Sequence, residues 1–264
     1  MEIIKLNENT SNESTSKLSL LFYIHLGFGD LLNMSGAIRY LAKTYKITVT
    51  ISPIHINNAK ILFNDIDDIS FLLTNNYYND AQREYDILNS YYDKNLKTGF
   101  HNKDFICLDN KPHIKFYEII GLTMDIYRDY FVKKNIYNSN FELIKNTTYY
   151  FCHTQASQYE YHIDLNTDNI IICPNKNYYN KDHKYFKTAE LFVGLPFFEY
   201  TDIIENAEEI HVVDSSFACY AILLRQHLKA NKKYCYCRGP HYQYLDNTWY
   251  WKQNVLKNKD IKIK

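Results

Sequence analysis

Apolar residues fill positions 18–26 (LSLLFYIHL) and stop at Gly27, Phe28, Gly29 and Asp30; an amphipathic stretch, LLNMSGAIRYLAKTY, follows at once. A buried run, a glycine turn and a helical period in that order predict strand, tight turn and helix, the unit in which α/β proteins place ligands. Positions 46–52 (KITVTIS) are β-branched and end at Pro53, which predicts a second strand joined to the first by a crossover helix over 33–45. Positions 56–63 have a helical pattern, 69–73 read as a third strand, and 85–90 (YDILNS) as a candidate fourth.

Further along, 114–120 predict a short helix that Gly121 closes, and a polar stretch over 133–146 reads as the passage to a second half. There the alternation starts again. Strands are expected at 149–152, 170–173 and 209–213, and helical segments at 188–193 and 198–206. Asp214, Ser215 and Ser216 turn the 209–213 strand into an apolar helix over 217–228; KKYCYCR is then a last strand and TWYWKQNVLKNK a terminal helix. Two successive α/β series imply two Rossmann-type domains, at 18–140 and 147–264, behind a polar arm at 1–17.

Charge and composition mainly exclude. The 264 residues hold 30 basic and 30 acidic side chains interspersed along the chain, so no basic stripe argues for nucleic acid. The six cysteines show no zinc-site spacing, and Cys235 and Cys237 fit alternate positions on one strand; reduced thiols and a cytoplasmic protein are expected. The N-terminal segment lacks the basic start and apolar core of a signal peptide, and no apolar run reaches the roughly 18 residues of a membrane span. Tyrosine is abundant, 26 residues against 7 glycines. Aromatic rings can stack on sugars, but an AT-rich coding sequence favours the same residues, so composition names no ligand.

The first turn is not a dinucleotide fingerprint, because the third glycine position holds Leu32 and the second strand ends in Ile51, Ser52 and Pro53 with no acid for a ribose. Nor does Gly-Lys-Ser/Thr follow it. Asp30 suits either a helix N-cap or a general base toward a bound hydroxyl. Asp214, Ser215 and Ser216 suit either N-capping or a pyrophosphate held at a helix start. Asp65 and Asp67 read as a solvated turn, and His25, His153 and His211 as hydrogen-bonded core histidines.

HLGFGDLLNMSGAIRYLAKTY resembles the start of the lipopolysaccharide heptosyltransferases and related GT-B enzymes, with Gly36, Ala37, Ile38 and Arg39 where that family often carries Pro-Ala-hydrophobic-Arg. NNAKILFNDIDDISFLL and NAEEIHVVDSSFACYAILL are similar to two further family segments, the second of which contacts the donor. The resemblance implies a GT-B fold, two parallel-sheet domains facing a cleft, and transfer of a hexose or heptose from a nucleotide-sugar donor to a glycan or other hydroxyl acceptor.

By the same resemblance, Asp30 is the catalytic base, with Gly27 and Gly29 on the acceptor side. Asp214, Ser215 and Ser216 contact the nucleotide sugar, and Lys176 or Lys181 meets the phosphates. An inverting displacement without metal or cofactor is expected. The chain departs from the family at Ser216, where glycine is usual, and in the aromatic and alanine run that replaces a following histidine. A sugar-nucleotide epimerase of the same architecture and a non-catalytic nucleotide- or sugar-binding protein are the alternatives.

Overall fold

The computed structural model describes residues 3–5, 17–24, 27–74, 81–98, 112–156, 159–237, 249–253 and 261–263. They form two compact units that meet at Val132 and Lys133. Each unit is built around a five-stranded sheet.

In the first unit the strands are β1 (Ile3–Lys5), β2 (Leu18–Tyr23), β3 (Tyr45–Ile51), β4 (Ile69–Leu73) and β5 (Lys94–Lys97), in the order β1-β4-β3-β2-β5. All pairs are parallel except β1 on β4, so Ile3–Lys5, inside the stretch read as an arm, forms an antiparallel edge. Leu20, Leu21, Phe22 and Tyr23 are all buried, as a parallel strand covered on both faces requires. Helix α1 (Phe28–Leu41) joins β2 to β3, α2 (Ile56–Leu62) joins β3 to β4, and α3 (Ala81–Leu88) joins β4 to β5. The fourth strand therefore lies at 94–97, not at 85–90. Tyr85 and Leu88, three apart on α3, pack on Leu21, Tyr23 and Leu72, and that helical spacing outweighs a four-residue alternation.

Helices α4 (Pro112–Ile119) and α5 (Met124–Asp129) pack on α1, and the turn between them contains Gly121 at φ 72°. Arg39 of α1, 6% exposed at its side chain, reaches both carboxylate oxygens of Asp65 (2.8 and 2.9 Å) and the Leu62 carbonyl (2.6 Å). The acid read as a solvated turn is thus a tie between α1 and the end of α2.

The second unit contains β6 (Tyr149–His153), β9 (Ile170–Ile172), β10 (Glu209–Val213), β11 (Lys232–Cys237) and β12 (Trp249–Gln253), all parallel, in the order β12-β11-β10-β6-β9. Within the expected terminal helix, 249–253 form β12 instead, since Trp-Tyr-Trp is a strand-forming run that extends the sheet beside β11, and 254–259 lie outside the described residues. Strands β7 (Gln155–Ala156), β8 (Tyr159–Tyr161) and β13 (Ile261–Ile263) make a small antiparallel sheet. Helices α6 (Phe186–Glu190), α7 (Thr201–Asn206) and α8 (Ser216–Leu223) complete the unit. Residues 133–146 belong to this unit and include a 3-10 turn at Ser139–Leu143. Cys152, Cys173, Cys219 and Cys235 are buried free thiols.

Candidate functional site

Strand order decides where each sheet can hold a ligand. In the first unit the chain steps from β2 to β3 to β4 and then returns to β5 on the other side of β2. The β2–β3 connection and the return from β4 to β5 run to opposite sides of β2, a switch of direction that opens a crevice between the carboxyl ends of β2 and β5. In the second unit the chain steps from β6 to β9, then crosses to β10, β11 and β12, so the corresponding crevice lies between the carboxyl ends of β6 and β10.

At the first switch point Gly27 is the N-cap of α1, extended at φ −74° and ψ 140°. Phe28, Gly29 and Asp30 are the first three helical residues, so Asp30 is not the N-cap; it lies half-buried in the first turn. The glycines are not there for left-handed backbone, since positive φ occurs only at Gly121 and Gly194 among the described glycines. The N-cap Gly27 has no side chain to cap α1, and the positive end of the helix dipole lies beside Asp30.

Neighbouring strands add polar groups at this rim. The Ile24 amide donates to Thr50 Oγ1 at 3.1 Å, and Ser52 is buried just past β3. His55 follows, with its ring centroid 5.7 Å from that of Phe28, and burial holds its pKa below the usual histidine value. Sequence reasoning missed His55. Its position after Pro53 looked like ordinary loop, and only the β2–β3 pairing carries it beside Phe28. His25 lies outside the described residues.

At the second switch point, three strand ends converge. β10 runs into Asp214, 6% exposed, whose amide donates to the Tyr236 carbonyl at 3.2 Å. Ser215 is the N-cap of α8 and Ser216 its first residue, but the Ser215 side chain makes no capping bond. Its Oγ lies 3.1 Å from Nδ1 of His153, the last residue of β6. Burial pushes His153 down to about pKa 3, so its imidazole is neutral at ordinary pH. Its ring packs on Phe217 at 4.5 Å.

Beyond β9, the Asn175 side chain donates to Thr154 Oγ1 at 2.8 Å and accepts from the Thr154 amide at 3.2 Å. Two tyrosines pin the segment that follows. The Tyr178 hydroxyl donates to the Ile163 carbonyl at 3.2 Å, and the Tyr179 hydroxyl accepts from the Ile171 amide at 2.7 Å. Lys176 is therefore held at the rim, next to Asn175. Its Nζ is 3.4 Å from Glu160 of β8 and 5.0 Å from the Tyr178 ring centre. Lys181 is exposed on the turn at 181–182, farther along the same loop.

Of the sequence-selected groups, Asp30, Gly27 and Gly29 lie together at the start of α1, and Asp214, Ser215 and Ser216 lie together at the start of α8, while Lys176 follows β9 and pairs with Glu160. Thr154 and Asn175 were not foreseen, and His153, read as a hydrogen-bonded core histidine, is buried and bonded to Ser215. These three have no motif, and only the pairing of β6 with β9 and β10 makes them neighbours.

His211, read as a core residue, is 5% exposed and bonded to Tyr236 Oη at 3.0 Å and Glu209 at 3.1 Å. Among the described residues no group of three or more His, Cys, Asp or Glu side chains is placed to hold a metal ion. No helix among them is long and apolar enough to cross a membrane.

The sequence matches no family model and no curated protein. Solved structures do match. TibC, an iron-containing dodecameric glycosyltransferase from enterotoxigenic E. coli H10407, aligns at TM-score 0.58 and 14% identity over 90% of this chain, which spans 66% of TibC. A glycosyl transferase family 9 protein from Veillonella parvula DSM 2008 aligns at TM-score 0.49 and 10% identity, over 94% of this chain and 90% of that one. ADP-heptose LPS heptosyltransferase II of E. coli aligns at 0.45 and 9%, over 89% and 90%. Heptosyltransferases, whose motifs the sequence resembles, are thus among the structures found. At these identities the likeness is one of fold, GT-B-like, with two α/β units each built on a mainly parallel sheet.

Proposed function

We propose that this protein is a glycosyltransferase that moves a sugar from a nucleotide-sugar donor to a hydroxyl acceptor, with inversion and without a metal. The carrying observation is a glycosyltransferase-like fold in which the β6/β10 switch point presents the start of α8, where the N-cap Ser215 makes no capping bond, together with the Ser215 and Ser216 hydroxyls; this reading adds Lys176, which follows β9 on the same sheet. In this reading the helix amides, its dipole, the hydroxyls and Lys176 stabilise the negative charge that develops on the leaving diphosphate. Those groups do the work a metal would otherwise do.

Asp30 takes the acceptor proton as the acceptor oxygen bonds to the anomeric carbon and the bond to the diphosphate breaks. One displacement inverts the anomeric centre. The Gly27 and Gly29 positions leave room for an acceptor beside the start of α1. Metal independence is expected to appear as turnover unchanged by a chelator.

A panel of nucleotide sugars, assayed with and without hydroxyl acceptors, tests this reading. Acceptor-dependent release of nucleoside diphosphate supports transfer. Acceptor-independent conversion of the donor supports an epimerase, and tight nucleotide binding without product supports a binding protein.

A further inference from the structure

We infer that His153 is a positioning residue for the donor diphosphate: its Nδ1–H donates to Ser215 Oγ and turns the Ser215 hydroxyl proton toward an anionic oxygen at the start of α8. The inference rests on the glycosyltransferase reading above and adds a residue to it.

Three observations carry it. A serine at an N-cap ordinarily spends its side-chain oxygen on an amide of the first turn, yet Ser215 makes no such bond. The oxygen lies instead 3.1 Å from His153 Nδ1. This leaves the α8 amides unspent by the cap residue. The imidazole is itself fixed: it is 7% exposed, ends β6, and packs on Phe217 at 4.5 Å, while Phe217 stacks on Phe197 at 4.5 Å. Burial also keeps it neutral, so it brings a single N–H and no charge.

The choice of tautomer determines what Ser215 can do. If Nδ1 carries the proton, the serine oxygen accepts from it and the hydroxyl proton is free to meet an anion. With the proton on Nε2, Nδ1 would accept the hydroxyl proton and leave Ser215 with none to offer. Only the first arrangement serves a diphosphate. A neutral histidine on the adjacent strand therefore orients the serine without placing a second cation at the site.

The test titrates the full chain with ADP, UDP and GDP and with the matching nucleosides by calorimetry. His153→Leu is expected to weaken nucleoside diphosphate about tenfold, the size of a lost hydrogen bond to a charged group, while leaving nucleoside binding unchanged. His153→Asn, whose amide N–H stands where Nδ1–H does, should restore affinity to within about threefold. Adding Ser215→Ala to His153→Leu should cause no further loss, since the two act as one unit. In the free protein, ¹⁵N NMR should find His153 protonated at Nδ1.

Diphosphate affinity unchanged in His153→Leu, equal losses for nucleoside and diphosphate, or an Nε2–H tautomer would overturn the inference alone. Failure of the wild-type chain to bind any nucleoside diphosphate or nucleotide sugar would overturn the functional reading and the inference with it. Should His153→Leu fail to fold, the NMR tautomer and a diphosphate-specific loss in Ser215→Ala decide the question.

Discussion

The hydroxyl of Tyr117 accepts a hydrogen bond from the backbone amide of Ala37 at 3.0 Å, and the same hydroxyl donates to the Asn33 carbonyl at 3.1 Å. Those are the donor and acceptor four residues apart that an α-helix pairs, so a side chain from α4 is inserted into the ladder of α1. Burial raises the pKa of this phenol, which stays a neutral donor and acceptor. The helix that begins at Gly27 and carries Asp30 is thereby fixed to α4 at its middle. Tyr117→Phe should destabilise the first unit by about 1–2 kcal/mol, one to two net hydrogen bonds, read as a lower urea midpoint. An unchanged midpoint would mean that α1 recloses its own ladder at no cost.

Gly36 lies at the same crossing. A Cβ there would stand 2.6 Å from the Ile126 carbonyl oxygen, 3.0 Å from the Tyr117 hydroxyl and 3.1 Å from Tyr127 Cα. Two of these are backbone atoms that cannot swing away. Gly36→Ala should therefore cost about 1–3 kcal/mol by overpacking, despite alanine's better helix propensity. Thermal denaturation checks the sign, and a more stable variant would refute the close approach of α1 and α5.

If Asp30 is the base, Asp30→Asn should lower turnover by about 10²-fold or more with little change in donor affinity. The amide keeps size and polarity while losing the capacity to take a proton. Equal turnover in both proteins would remove Asp30 from the mechanism and leave it a helix-start acid.

Lys176 and Lys181 are separated by position. Lys176 stands beside Asn175 at the rim, whereas Lys181 lies out on the turn, so Lys176→Ala should raise the donor KM more than Lys181→Ala does. Glu160 competes for Lys176 at 3.4 Å, and Glu160→Gln should lower the donor KM by releasing it. The reverse ranking of the two lysines would move the phosphate contact to the outer loop.

His153 should also make the fold sensitive to acid. Its folded-state pKa of about 3 lies below the ordinary value of 6.5, so between those values the unfolded chain binds the extra proton. Stability is then fully present above pH 6.5 and falls as pH drops toward 3, by up to about 1.4 kcal/mol per unit from this one group. His55, also lowered by burial, acts in the same direction. Urea midpoints measured from pH 7 to pH 4 should fall less steeply in His153→Asn than in wild type; parallel curves would show that His153 does not couple folding to protons.

Much of the fold was legible because local pattern and final packing agree. Residues 20–24 are an unbroken apolar run because this end of β2 is covered on both faces, and the IIIC and EIHVV runs mark β9 and β10. The fourth strand and the terminal element were misread where pattern is short or ambiguous. YDILNS fits either period over a few residues, and WYWKQ, rich in strand-forming aromatics, pairs with β11 as β12.

By itself, then, the sequence determined two α/β series, the turn that puts Asp30 at the end of β2, and the turn that puts Asp214, Ser215 and Ser216 at the end of β10. These are local properties, set by apolar period and by residues that end strands and start helices. Only the tertiary structure decided which strand ends adjoin. Pairing of β6 with β10 brings His153 to Ser215, pairing of β6 with β9 brings Asn175 to Thr154, and insertion of Tyr117 reaches a helix 80 residues earlier in the chain. Such contacts depend on strand order and on the path of the crossovers, and no local pattern encodes either.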